Sequence, residues 1–195
     1  GAEGAVEGDL EGVAALVDGR VLLDCGPMTP YVAERAGASL ADVELLLLTH
    51  QHSDHCSPAV LLHRSWVTSA PLVVAGPPDV VAACRDWVAP DAPVVFRAVR
   101  PGDEVEVAGH RVRVLSSSHR TGLGDGAPDC VLYDVAAPDG GRLLYATDTG
   151  PLPRDTLAAV RDAAYDVVLL EETFGDRSDL PRGHLDLPGF AAEVR

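Results

Sequence analysis

The chain has 195 residues, 47% of them hydrophobic, and carries 30 acidic against 15 basic side chains for a formal charge of −15. That length suits one domain with a substantial core, and its longest apolar stretches fall well short of a membrane span. Such a charge disfavours bulk binding to nucleic-acid backbones unless a local basic patch overrides it, but it does not disfavour a small anionic substrate held by metal ions, which set their own local field.

Residues 1–12, rich in Gly, Ala and acids, read as a loop or poorly ordered lead-in, with a single domain expected over 13–195. Val13–Val17, the Asp18-Gly19 turn and Val21–Leu23 form a hairpin signature. Asp24 then sits just past a buried strand, where a carboxylate either forms a turn or supports a ligand histidine. Thr29–Ala36 reads as a short helix closed by Gly37. Leu45–Leu48 is an apolar run of the buried-strand kind, and it empties into Thr49-His50-Gln51-His52-Ser53-Asp54-His55. That stretch holds three of the seven histidines.

Ser57-Pro58 predicts a helix start, with Ser57 as cap and the helix reaching about Trp66; His63 within it reads as a partly exposed packing residue. Leu72–Ala75 is another buried strand. Asp79 is expected to cap a helix running to about Val88, with Trp87 on its packed face. Val94–Val99, Glu104–Val107 and Arg111–Leu115 read as strands, and His110 as a solvated turn residue.

Ser116-Ser117-Ser118-His119 repeats the pattern of an apolar strand ending in histidine, and Arg120–Pro128 reads as an exposed, mobile loop. Val131–Val135 and Arg142–Ala146 make a second hairpin, ending at Thr147-Asp148-Thr149-Gly150. Pro153–Ala164 is predicted helical and Val167–Leu170 a buried strand ending at Glu171-Glu172. His184 follows in a loop, and Pro188 begins a last helix. Two successive β-rich halves, each closed by helices, predict two sheets packed face to face with helices outside.

Cys25, Cys56, Cys84 and Cys130 are scattered without a C-x-x-C pair, which fits a reducing compartment. With no secretory signal visible, a cytoplasmic location is expected. The Ala, Gly, Pro, Arg and Asp bias fits a GC-rich bacterial genome.

Alternate side chains of an extended segment share a face, so His50 and His52 can point into one cavity as part of a zinc-like ligand set. Asp54 and His55 can face a second ion, with His119 and Asp148 as natural completions and Asp148 able to bridge. Two such ions would share a water and lower its pKa toward neutrality. The competing reading, histidines that merely cap strands at a polar surface, is weakened by the recurrence of ligand types at four strand ends.

Thr49–His55 resembles the T-H-x-H-x-D-H signature of the metallo-β-lactamase superfamily, with Asp24, His119 and Asp148 matching its further elements. The resemblance implies an α/β fold, an αββα sandwich of two mixed sheets with helices on the outer faces. It also implies that His50, His52 and His119 hold one divalent ion, Zn or Mn, that Asp54 and His55 hold the other, and that Asp148 bridges. Residues 146–153 are similar to the phosphodiesterase branch, which includes ribonuclease Z and a phosphoribosyl cyclic phosphate phosphodiesterase. Gly183–Leu187 is similar to the latter's His-x-Asp-Leu segment.

The implied function is a phosphodiesterase acting on a small cyclic or nucleotide-like phosphate through a hydroxide held by two metal ions. His184, Asp54 and Glu171 carry the catalytic roles: His184 is a general acid oriented by Glu171 or Glu172. The alternative is that His184 is itself the last metal ligand. Ser117, Ser118 and Arg120, with Ser116 and the Gly122–Gly126 loop, are candidate substrate contacts. Against the family pattern the chain reads as a core trimmed at both ends. Hydrolysis of a thioester, lactone or lactam is a second expectation, and a non-catalytic metal-binding scaffold a third. No nucleic-acid or membrane partner is favoured, ribonuclease Z activity itself included, and a homodimer is left open.

Overall fold

Asp18 (φ 51°) and Gly19 (φ 68°) both lie in the left-handed region, as the centre of a type I′ turn requires. The turn closes with Arg20 N–H donating to Val17 O at 3.0 Å, and it pairs β1 (Ala15–Val17) antiparallel with β2 (Val21–Leu23). The computed structural model describes residues 13–122, 130–179 and 183–194, so the lead-in 1–12 and most of the loop after Gly122 lie outside the described residues. The chain gathers into two compact units that divide between Val99 and Arg100, and each has its own sheet.

In the first unit, β2 is followed by three more parallel strands: β3 (Leu45–Leu47), β4 (Leu72–Gly76) and β5 (Val94–Ala98). Parallel neighbours need crossover connections, and helices supply them. These are α1 (Thr29–Arg35), α2 (Pro58–Val67) and α3 (Pro78–Arg85). Each has proline in its first turn, where the missing N–H costs nothing.

The register aligns Leu22, Leu46, Val74 and Phe96 across the sheet. On that face they cluster with Val60 and Leu61 of α2 and with Val80 and Cys84 of α3. Val21, Leu23, Leu45, Leu47 and Ala75 are fully buried on the opposite face. Burial on both faces explains why these strands read as unbroken apolar runs rather than alternating ones.

Arg64 is also buried, and its guanidinium donates to the carbonyls of Leu40, Ala41, Val43 and Ala70. It thereby satisfies the backbone of a 3₁₀ turn at Leu40–Asp42 that precedes β3. Burial lowers its pKa from the ordinary arginine value.

The second unit is an antiparallel meander with one parallel strand added at its edge. β6 (Glu104–Val107), β7 (His110–Ser116), β8 (Val131–Ala136) and β9 (Arg142–Ala146) pair in sequence, and β10 (Val167–Leu170) joins β9 in parallel. Leu115, Leu132, Leu144 and Ala146 pack against Ala159 and Val160. Those two residues belong to α4 (Arg154–Val160). Buried Asp134 on this face accepts hydrogen bonds from Arg113 and Arg142. Burial alone would raise the Asp134 pKa, but the two guanidiniums outweigh it and hold the carboxyl below its usual range. The last helix, α5 (Leu187–Glu193), starts at Asp186, whose Oδ1 accepts from Gly189 N–H at 2.7 Å.

Five local expectations need correction. His110 is buried, because the turn is made by Ala108 (φ 55°) and Gly109 (φ 79°), which leaves His110 as the first strand residue, opposite Val107. Trp87 is half exposed, because α3 ends at Arg85 before the indole can join its packed face. Asp79 lies in the first turn of α3 rather than at the cap, which is Pro77. The helix expected over Pro153–Ala164 is shorter, ending at Val160. Val167 and Val168 are half exposed, because β10 is the last strand in its sheet among the described residues.

No helix among the described residues is long and apolar enough to cross a membrane.

Candidate metal centre and acid dyad

In the first unit the candidate ligands follow the carboxyl ends of adjacent parallel strands, the position where open α/β sheets place their sites. Asp24 N–H donates to Leu47 O at 2.7 Å, which sets the end of β2 beside the end of β3. Gly76, at the end of β4, lets Leu48 come close: a Cβ there would lie 3.0 Å from Leu48 O. The histidine loop is then tied back. Cys25 N–H donates to His55 O at 2.7 Å, and Ser57 N–H donates to Cys25 O at 2.8 Å.

The fully buried carboxylate of Asp24 is the centre of this arrangement. It accepts from Thr49 N–H at 2.8 Å, from the Thr49 hydroxyl at 2.9 Å, and from His55 Nδ1–H at 2.8 Å. Asp24 itself sits at φ 56°, a conformation that Asp tolerates better than most residues. With Nδ1 held, His55 presents Nε2 as its candidate ligand atom, 3.5 Å from an oxygen of the half-exposed Asp54.

His50 Nε2 and His52 Nδ1 stand 3.0 Å apart. Two nitrogens bound to one tetrahedral zinc at ordinary bond lengths are separated by about 3.3 Å. The pair therefore already has nearly the spacing that a shared ion requires, and this donor set fits a zinc-like ion.

The second unit also places candidate ligands after its strand ends. Asp148 follows β9 at φ 52°, matching the left-handed conformation of Asp24 after β2. His119 donates from Nδ1 to Gly183 O at 2.8 Å, and its Nε2 faces Asp148 Oδ2 at 3.8 Å. Glu171 follows β10. Its Oε1 accepts from His184 Nδ1–H at 2.9 Å and from Thr149 N–H at 2.9 Å, while Oε2 accepts from the Thr173 hydroxyl at 2.6 Å. Asp148, Glu171 and His184 each offer a ligand atom within 4.8 Å of the others. Glu172, the other carboxylate considered for His184, is exposed and accepts from Gly175 N–H instead.

The serines after β7 hold backbone. The Ser117 hydroxyl donates to Asp148 O at 2.9 Å and accepts from His119 N–H at 3.0 Å. Ser118 lies against Thr149 Oγ1, and Ser116 donates to Asp155. Arg120 is exposed, while residues 123–126 lie outside the described residues.

Sequence reasoning did not single out Thr49, Thr149, Thr173 or the Gly183 carbonyl. The threonines each flank a singled-out residue, and that adjacency was the available signal. The carbonyl at Gly183 reaches His119 across 64 positions and leaves no trace in local sequence.

Residues 19–194 match the family described as Beta-lactamase superfamily domain, and the chain belongs to that family. The ribonuclease Z of Methanopyrus kandleri is 34% identical over 102 residues, covering 51% of this chain and 36% of that protein. Among solved structures, the short form of human tRNase Z aligns with a TM-score of 0.71 at 15% identity, over 93% of this chain and 79% of that one. A diphosphatase from the PhnP family aligns with a TM-score of 0.70 at 18% identity, over 93% and 66%. The fold is therefore that of the metallo-β-lactamases, with its two mixed sheets and helices. The ribonuclease Z and PhnP-family matches are to proteins of the kind the sequence resemblance named. This is a hydrolase family, and its fold implies divalent metal ions, typically zinc. The chain spans 36–61% of the length of the ribonuclease Z relatives it matches.

Proposed function

We propose that the domain belongs to a metal-dependent phosphodiesterase acting on a small cyclic or nucleotide-like phosphate. The observation that carries this reading is the Glu171–His184 pair, a buried carboxylate orienting an imidazole within ligand distance of Asp148. With Nδ1 held by the glutamate, His184 turns Nε2 outward for proton transfer to a leaving alkoxide, the role that the resemblance to the phosphodiesterase branch implies for this histidine.

His50, His52 and His119 are the proposed ligands of one ion, Asp54 and His55 of the other, and Asp148 is shared between them, following the family pattern. Zinc or manganese bound there would supply an activated water at neutral pH and neutralise phosphoryl oxygens. The chain's own groups do the rest. Asp24 orients His55, Gly183 O orients His119, and Glu171 fixes the His184 tautomer so that Nε2 can deliver a proton to the departing oxygen. The Glu171 bond leaves His184 Nε2 able to serve as acid or ligand, and the general-acid role is favoured because the helix start after Leu187 matches the phosphodiesterase branch.

The excess of acidic over basic side chains favours a small substrate over an extended nucleic acid. Relatives named ribonuclease Z favour the opposite, and an RNA substrate is the second reading. The test is turnover of bis-p-nitrophenyl phosphate by zinc- or manganese-loaded protein, set beside thioester, lactone and precursor-tRNA substrates. Hydrolysis of the phosphodiester alone supports the first reading, and efficient tRNA processing supports the second. Failure on every phosphodiester with metal restored would remove both, leaving thioester, lactone or lactam hydrolysis or a metal-binding scaffold. Cytoplasmic location remains part of the proposal.

A further inference from the structure

Thr49 sits between two groups that the proposed metal centre needs. It is 1% exposed, and its hydroxyl oxygen lies 2.9 Å from both oxygens of Asp24 and 2.9 Å from Nδ1 of His50. A hydroxyl has one proton to give, and a carboxylate in this setting only accepts. If Thr49 donated to His50, its oxygen would face two carboxylate oxygens with no proton between them. The arrangement without that repulsion has Thr49 donating to Asp24 and accepting from His50 Nδ1–H. His50 is then left with its lone pair on Nε2, the nitrogen that faces His52.

We propose that Thr49 is a positioning residue that relays the charge of Asp24 to His50, so that one buried carboxylate fixes the tautomers of two ligand histidines. Asp24 acts on His55 directly through Oδ2 and on His50 through the Thr49 hydroxyl. The two histidines belong to different proposed ions, so Asp24 and Thr49 pre-set ligand atoms for both. A threonine suits the task because its backbone N–H also donates to Asp24, which fixes the hydroxyl's position from a second point. Its branched Cβ further restricts the side-chain torsion. The proposal rests on the metal-centre reading for its consequence but not for its geometry.

Long-range ¹H–¹⁵N correlation spectra of the metal-free protein report the histidine tautomers. His50 is expected to be protonated at Nδ1 in the wild type and in Thr49→Ser, and mixed in Thr49→Val. Zinc-binding isotherms are expected to show about a 10–100-fold loss of affinity for Thr49→Val, the range typical of removing a group that orients a metal-binding histidine, and near-wild-type affinity for Thr49→Ser. Thermal melts of the metal-free variants separate a folding defect from a site defect. Wild-type His50 protonated at Nε2 would overturn the relay even if Thr49→Val failed to fold. So would a Thr49→Val variant with unchanged tautomer and affinity. A wild-type chain that binds no zinc would defeat the metal-centre reading, and the relay would then be judged by the tautomer alone.

Discussion

His184 donates from Nδ1 to Oε1 of Glu171 at 2.9 Å, although thirteen positions separate the two residues. Glu171 is held from three sides, by His184, by Thr149 N–H and by the Thr173 hydroxyl, so the imidazole inherits a fixed orientation. If this pair delivers a proton, its importance depends on the leaving group. His184→Ala is expected to lower turnover of an alkyl phosphodiester by about 10²–10⁴-fold. A p-nitrophenolate leaves without protonation, and its release should slow by less than about tenfold. Glu171→Gln should fall between. Parallel kinetics on the two ester classes check this, and equal losses on both would point to a ligand role for His184 instead.

Removing divalent ions should abolish hydrolysis and lower the melting temperature, because only the folded chain gathers the ligands. Dialysis against a chelator followed by re-addition of zinc or manganese, with metal content measured alongside, tests this. Two ions per chain are expected at full activity.

Arg64→Ala should destabilise the first unit by about 2–4 kcal/mol, since it strips hydrogen bonds from four carbonyls. Arg64→Lys should recover little. An ammonium is a compact point charge and lacks the planar fork that spans these acceptors. Urea midpoints of the two variants provide the comparison.

Asp134 supplies a pH dependence with a definite sign. Its folded pKa lies below the ordinary carboxylate value, so its contribution is present at neutral pH and is lost as the pH falls below about 4, through the folded value. Asp134→Asn should therefore be less stable than wild type at pH 7, with the gap closing in acid. Denaturant melts across that window measure the gap.

All four cysteines are buried thiols. Burial, with the neighbouring Cys56 adding to it, pushes the Cys25 thiol up to about 12. The Cys56 thiol is raised by its contact with Cys84 at 3.6 Å and by burial. Since the thiolate is the reactive form, native protein should react with iodoacetamide far more slowly than unfolded protein. Mass spectrometry of both samples at neutral pH gives the rates.

The parts of this protein whose signal is local were legible in its residue pattern. The apolar run Leu45–Leu48 marked a strand buried on both faces, Asp18-Gly19 marked a left-handed turn, and Thr49–His55 marked the ligand cluster and the family. Backbone preference and side-chain type act within a few residues, so a linear pattern records them. His110 and Trp87 depart from the local pattern for the opposite reason, because a shift of one or two residues in a turn or a helix end decides which way a side chain faces. Tertiary structure decided what depends on strands brought together by hydrogen-bond register. The pairing of β2 with β3 sets Asp24 against Thr49 and His55, and the addition of β10 to β9 puts Glu171 within reach of Thr149. The loop after β10 then carries His184 back to Glu171 and the Gly183 carbonyl to His119. Those partners lie 13 to 64 positions apart, and no local propensity encodes which of two adjacent glutamates will face a histidine.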